Sequence, residues 1–271
     1  MPETEMTTPS YVFLVVAAGR GARFGGVLPK QYANLGGAMV LTQTLSTCLT
    51  ALPSARVMCV IHADDADLYR AAIDALPEKA ASRLMAPVHG GKTRQDSVMN
   101  GLKALQDVHQ VPDYVFVHDA ARPFVCGATV SRLMDAAAAG VAAAVPCLPV
   151  VDTLKTVSEG HLSGSIDRDS VRSIQTPQLF SFRDLFDLHS RYSGHEMTDD
   201  SSLFEAAGIP VAVVMGAAKT FKITTQDDLQ RANKMMFDAC TDIRMGTGFD
   251  VHRFDVGSAV ILGGVRIPYT H

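Results

Sequence analysis

The sequence predicts an α/β protein whose central sheet is mostly parallel and flanked by helices, with a β-hairpin arm projecting from it. Three observations carry that reading. Short continuous apolar runs rich in β-branched residues recur along the chain, as strands buried on both faces of a sheet require. Segments with helical periodicity separate them. Between about 150 and 178 the rhythm changes to Thr-, Ser- and Val-rich sequence with a Glu159-Gly160 break, the pattern of a hairpin. Strand, helix, strand repeated with right-handed crossovers makes the sheet Rossmann-like.

Taken in order, "YVFLVVAA" at 11 to 18 is the first strand and ends in glycine; residues 1 to 10 read as a flexible amino terminus. Further strands are expected at "RVMCVI" (56 to 61), "LMAPVH" (84 to 89), "YVFVHD" (114 to 119) and "VAAAVP" (141 to 146). Leu41, Leu45, Leu49 and Leu52 mark one helix; Val98, Leu102 and Leu105 mark another, behind a cap at Thr93. After the arm, helices return at 182 to 191 and 199 to 207, a strand at "VAVVMG" (211 to 216), and a last helix from Gln226 to Cys240 capped by Thr225. An arm with little core of its own is a natural dimerisation element. A sheet of this kind binds ligands beyond the carboxyl ends of its strands, so three loops are singled out: 19 to 30, 90 to 97 and 119 to 124.

Composition narrows the function. A net charge of -4, from 24 basic and 28 acidic residues, no Trp and 7% aromatics give neither the basic stripe nor the stacking platform of a nucleic-acid binder. Any anion site must be local. Five cysteines, Cys48, Cys59, Cys126, Cys147 and Cys240, include no C-x-x-C pair and suit a reducing compartment. "MPETEMTTPS" has neither the basic-then-apolar order of a secretory signal nor the arginines of a transit peptide. The longest apolar stretch, 141 to 151, holds Pro146 and Pro149 and falls short of the roughly 20 residues of a membrane span. The expectation is a cytoplasmic protein that binds neither nucleic acid nor membrane.

The first loop, "AAGRGARFGGVLPKQY" (17 to 32), decides among three glycine-rich motifs. A dinucleotide fingerprint fails at Phe24, where the third glycine belongs. "APVHGGKT" has Ala86 in place of the first P-loop glycine and follows the wrong strand. What remains is a loop whose Gly19, Gly21, Gly25 and Gly26 bring backbone N–H groups to a ligand while Arg20, Arg23 and Lys30 supply charge. Bare amides with cations suit a triphosphate.

This loop resembles the signature of nucleotidyltransferases that join a nucleoside triphosphate to a phosphorylated small molecule. "GGKTRQDSV", "VHDAARPF", "VDTLK", "IDRDSV", "TPQLF", "TDDSSL" and "FKIT", in that order, resemble the methylerythritol phosphate cytidylyltransferase family of non-mevalonate isoprenoid synthesis. The resemblance implies transfer of CMP from CTP to methylerythritol phosphate by a homodimer, with residues 11 to 243 as the catalytic domain. It implies that Arg23 and Lys30 contact the triphosphate, that Asp119 holds Mg²⁺, and that Ala17, Ala18, Gly19, Gly91 and Ser97 receive the cytosine nucleotide. Lys222 and Arg122 would meet the acceptor's phosphate, joined by Thr153 and Arg168 from the partner's arm. Lys92 and Arg94 fit triphosphate contacts and solvated cations equally, and Arg168, between Asp167 and Asp169, also fits a surface ion pair. "AAKTFKIT" lacks the carboxylate or amide that often precedes the lysine in the family, so no second metal ligand is evident there.

"MGTGFDVHRFDVGSAVILGGVRIPYTH", from Met245, resembles the opening of the methylerythritol cyclodiphosphate synthase family, in which an Asp-x-His pair, here Asp250 and His252, supplies zinc ligands. Residues 244 to 271 are accordingly expected to be the truncated start of a second domain, with no cyclase activity, since so few residues build no core. Two other readings share the first loop. A sugar-phosphate nucleotidyltransferase using UTP or GTP would separate from this one in a nucleotide panel, and a non-catalytic nucleotide sensor would bind CTP without turnover.

Overall fold

The computed structural model describes residues 9–21, 24–26, 28–195, 197–239, 248, 257–263 and 265–269. The chain divides into two compact units, Met1–Phe237 and Asp238–His271.

The first unit begins with β1 (Tyr11–Ala17), a clip of β2 (Asn34–Leu35) and β3 (Ala38–Met39), and α1 (Val40–Ala51). It continues through β4 (Arg56–Ile61), α2 (Ala66–Asp74), α3 (Glu78–Ala81), β5 (Val88–His89), α4 (Arg94–Gln106), β6 (Tyr114–Asp119), α5 (Gly127–Ala138) and β7 (Ala143–Pro149). The arm is β8 (Leu154–Ser158) and β9 (His161–Ile166), after which β10 (Arg172–Ile174) and β11 (Gln178–Ser181) lead to α6 (Phe182–Arg191), α7 (Ser201–Ala206), β12 (Ala212–Met215) and α8 (Gln226–Asp238). In the second unit β13 (Ala259–Leu262) and β14 (Val265–Pro268) pair as an antiparallel hairpin.

In the 8-stranded sheet, β1 lies between β4 and β6 and runs parallel to both, while β5 extends β4 in parallel and β12 extends β7. β11 is inserted antiparallel between β6 and β7. Alternation along β1 divides the core: Phe13, Val15 and Ala17 pack beneath α1, α2 and α5, and Val12 and Leu14 beneath α4 and α6. The α4 layer approaches closely because Gly101 has no side chain; a Cβ there would lie 2.5 Å from Leu14 Cδ1. Phe13 and Phe116 stack at 4.7 Å, both fully buried. Phe116→Ala is expected to cost about 3–5 kcal/mol through lost burial and the cavity left behind, read as a lowered denaturant midpoint.

The predicted architecture holds with differences in detail. The strand expected at 84 to 89 contracts to Val88–His89, with Leu84 making one bridge to Val57, because Pro87 carries no N–H for the ladder. The strand expected at 141 to 146 runs instead from Ala143 to Pro149. The arm is shorter than 150 to 178: its two-stranded sheet covers Leu154 to Ile166, turning at Glu159 (φ 49°) and Gly160 (φ 79°), and β10 already returns to β7. β11, which begins at Gln178 where the arm is expected to end, is a buried strand of the main sheet. The last helix is described to Asp238, and Cys240 lies outside the described residues.

Candidate functional site

Parallel strands β1, β4, β5 and β6 end on one edge, and the loops that follow them enclose a cavity of about 510 Å³. Each wall has a local cause. After β1, Phe24, which spoils the dinucleotide fingerprint, is buried with Leu35, Val40, Ile223 and Ala232. It anchors the loop while Gly21 (φ 60°) and Gly25 (φ 67°) turn it. Gln31, buried, donates from Nε2 to the carbonyls of Ala17 (2.7 Å) and Gly19 (3.1 Å). Its neighbour Lys30 lies over Gly21, where a Cβ would meet Lys30 Cδ at 3.3 Å, and lines the cavity.

The second wall is the 90 to 97 loop. Thr93 and Asp96 form a reciprocal capping box at the start of α4. Ser97 Oγ accepts from Gly91 N–H (3.1 Å) and donates to the Thr93 carbonyl (2.8 Å), so its hydroxyl shapes the loop before it meets any ligand. Glycine is needed here for packing as well as for access. A Cβ on Gly90 would collide with Ala18 Cβ, and one on Gly91 with Asp96 Cβ.

The floor is Asp119, at the end of β6. Lys222 Nζ lies 2.9 Å from its Oδ2, Arg122 Nε 3.6 Å from the same oxygen, and Arg94 Nε 3.7 Å from Oδ1. Burial pushes this carboxyl up, but Arg94, Lys222 and Arg122 together hold it far below the usual carboxylate range. Lys222 is aimed by its neighbours: Ile223 is buried and donates its N–H to the Ala121 carbonyl, and Phe221 packs beneath Arg231. Arg122 donates from Nη1 to the Thr220 carbonyl at 2.9 Å.

His118, fully buried behind Asp119, fixes the backbone. Its Nε2 lies 3.0 Å from the Arg122 carbonyl and must donate; its Nδ1, 2.9 Å from Thr176 Oγ1, accepts, and that hydroxyl in turn accepts the Asp119 N–H. Burial depresses the ring to about 4 from 6.5. The folded protein therefore binds fewer protons than the unfolded chain between these values, and stability rises with pH across that window. Acidifying from pH 7 to 4 is expected to remove about 3 kcal/mol through this group, and His118→Asn should flatten the denaturant midpoint against pH.

Of the residues singled out by sequence, Ala17, Ala18, Gly19, Lys30, Gly91, Ser97, Asp119 and Lys222 line one cavity, and Arg122 adjoins it through Asp119. Arg23, Asp250 and His252 lie outside the described residues. Thr153 and Arg168 are exposed at the two ends of the arm and do not line this cavity; Arg168 donates to the Val151 carbonyl at 3.0 Å. Arg20, expected to supply charge to the triphosphate, lines the same cavity. It pairs with Asp64 (2.9 Å) and buried Asp65 (2.8 Å), pinning the first loop to the segment after β4. Arg94 is not a solvated cation: Nη1 lies 2.7 Å from Asp200 Oδ2. Sequence reading missed Gln31, Asp200 and His189. A buried Gln beside Lys30 leaves no periodic trace; Asp200 falls within the "TDDSSL" motif, but that it reaches this site from a distant loop is set only by the fold. No group of three His, Cys, Asp or Glu placed to hold a metal occurs among the described residues, and no helix among them is long and apolar enough to cross a membrane.

Comparison with known proteins gives a consistent result. The family model described as 2-C-methyl-D-erythritol 4-phosphate cytidylyltransferase matches residues 11–238. The chain is 46% identical over 258 residues to the bifunctional enzyme IspD/IspF of Rhodospirillum rubrum, covering 95% of this chain and 65% of that one. The chain thus spans just under two thirds of that relative's length. Among solved structures, the 2-C-methyl-D-erythritol 4-phosphate cytidylyltransferase of Thermus thermophilus is 33% identical with a TM-score of 0.64, covering 83% of this chain and 98% of that one. The 4-diphosphocytidyl-2C-methyl-D-erythritol synthase of Anaerococcus prevotii is 28% identical with a TM-score of 0.71, covering 85% and 100%.

Proposed function

The chain belongs to the 2-C-methyl-D-erythritol 4-phosphate cytidylyltransferase family, and we propose that its cavity transfers CMP from CTP to 2-C-methyl-D-erythritol 4-phosphate, releasing pyrophosphate. The observation that carries this reading is the buried Asp119 carboxylate ringed by Arg94, Arg122 and Lys222 beneath the glycine loop. An oxygen of the acceptor's phosphate monoester attacks the α-phosphorus of CTP, and the bond to the bridging oxygen of pyrophosphate breaks. The nucleophile is already an anion, so no general base is needed; the demand is for alignment and for neutralising charge on phosphate oxygens.

In this reading Lys30, with Arg23, neutralises the triphosphate, and the backbone of Ala17 to Gly19, fixed by Gln31, lies against the nucleotide. The loop carrying Gly91 and Ser97 receives the cytosine, where a mismatched base would leave polar groups unpaired. Lys222 and Arg122, paired with Asp119 in the free protein, turn to the incoming phosphate. A single ionised carboxylate suits Mg²⁺, an ion that keeps most of its shell for water and phosphate oxygens. Asp119 would hold it, and bound there it would supply further charge neutralisation on the triphosphate.

The arm belongs to the same reading. Val157 and Leu162 are 65% and 73% exposed on β8 and β9, and a second copy of the chain would cover them while bringing Thr153 and Arg168 to this site. Pyrophosphate release assayed with CTP, UTP, GTP and ATP, with and without methylerythritol phosphate, tests the assignment. Acceptor-dependent release confined to CTP supports it; equal release with UTP or GTP contradicts it.

A further inference from the structure

We propose that Asp200 and His189 form a buried tether that acts through Arg94 to fix both Asp119 and the base-binding loop, making Arg94, Asp200 and His189 positioning residues for the reaction. This inference rests on the cytidylyl-transfer reading above.

Arg94 stands in the first turn of α4, where the helix dipole disfavours a cation. Local sequence does not hold it there; Asp200 and Asp119 do. Burial lowers the affinity of this guanidinium for its proton, and the two carboxylates more than reverse that. Asp200 in turn has no other evident use. Its side chain is 1% exposed, its Oδ1 accepts from His189 Nε2 at 3.0 Å, and His189 is equally buried. The start of α7 is capped without it: Asp199 accepts from Ser202 N–H (3.1 Å) and from the hydroxyls of Ser201 and Ser202 (2.9 and 2.8 Å). A carboxylate taken out of water at a cost of several kcal/mol, and not needed as a cap, is placed for its partner.

The three cations around Asp119 then differ in kind. Among the described residues, Arg122 and Lys222 have no carboxylate partner but Asp119, and the Lys222 side chain is 38% exposed. They can pass from Asp119 to a substrate phosphate. Arg94, clamped on its far side by Asp200 at 2.7 Å, stays. It therefore holds Asp119 Oδ1 in place while the other oxygen changes partners. One turn along the same helix is Ser97, which is bonded to Gly91 and Thr93. Fixing Arg94 thus fixes the mouth of the base pocket against the floor of the phosphate pocket.

The test is a double-mutant cycle on the full chain with Arg94→Met, Asp200→Leu and the pair. Apolar replacement of a buried ion pair is commonly neutral or stabilising, whereas a single deletion strands a charge, so the double variant keeps the test valid where a single fails to fold. Thermal unfolding, CTP affinity by calorimetry, kcat and amide exchange over residues 90–97 are measured. The double variant is expected to fold, to bind CTP within about threefold of the parent and to lose about 100-fold in kcat, the scale of a small misplacement of reacting groups. In the Arg94→Met background, Asp200→Leu should cost no further kcat, and exchange over 90–97 should accelerate. Parent-like kcat, a rise in KM with kcat unchanged, or full rescue by Arg94→Lys each overturns the tether. If the parent itself does not turn over CTP, the cytidylyl-transfer reading fails; unchanged exchange over 90–97 in the double variant overturns the tether independently.

Discussion

Replacing Lys30 by alanine is expected to lower acceptor-dependent pyrophosphate release from CTP by about 10²–10³-fold, the usual loss when one preorganised charge is removed from a transition-state oxyanion site. The reason lies in how the side chain is placed. Pro29 sets the approach to a single 3-10 turn, Lys30–Tyr32, in which Gln31 and Tyr32 are buried. Gln31 bonds the carbonyls of Ala17 and Gly19, so the turn carrying Lys30 is fastened to the loop that meets the nucleotide. Lys30 packs over Gly21 and lines the cavity, so its charge lies at the edge of the nucleotide site. The loss is read as kcat at a temperature well below the variant's own unfolding midpoint. A loss of only about twofold in turnover would contradict the role.

Asp119→Asn is expected to cost about 10³-fold in kcat and to tighten nucleotide binding in the absence of metal. Asparagine keeps the volume and removes the charge that balances Arg94, Arg122 and Lys222. A surplus of cations in the cavity should tighten CTP binding measured by calorimetry without divalent ion, while alignment of the phosphates is lost. Arg122, left largely buried without its carboxylate while Arg94 keeps Asp200 and Lys222 stays partly exposed, should also lower stability by about 1–3 kcal/mol. Unchanged turnover, or weaker CTP binding in the absence of metal, would show that the carboxylate does not organise the site.

Lys30 is legible in the sequence as a cation after a glycine-rich loop, whereas Asp119 is singled out by the family resemblance; both line the cavity. The fold is legible from local pattern, as Lys30 is. Continuous apolar runs such as Tyr11–Ala17 mark strands covered on both faces, and Thr93 declares the start of α4 by its capping box. What was hidden depends on distant pairing. β11 is four residues long and gains its place from register with β6 and β7, which no local period announces. Arg20 reads as a charge for the triphosphate and Arg94 as a triphosphate contact or a solvated cation equally, since charge in a loop carries no record of its partner. Folding assigns Arg20 to Asp64 and Asp65, and Arg94 to Asp200. Ser97 and Gly91, expected for the base, prove first to be bonded to one another.

In the proposed reaction this cavity joins a cytidylyl group to a phosphate monoester. Phosphorus-31 NMR of the protein with CTP, Mg²⁺ and methylerythritol phosphate tests it most directly. The prediction is loss of the acceptor's monoester signal together with the triphosphate signals, replaced by a paired diphosphodiester and free pyrophosphate in equal amounts. CTP that binds, shifts its resonances and stays intact beside an unchanged monoester would contradict the claim and leave a nucleotide-binding site without chemistry.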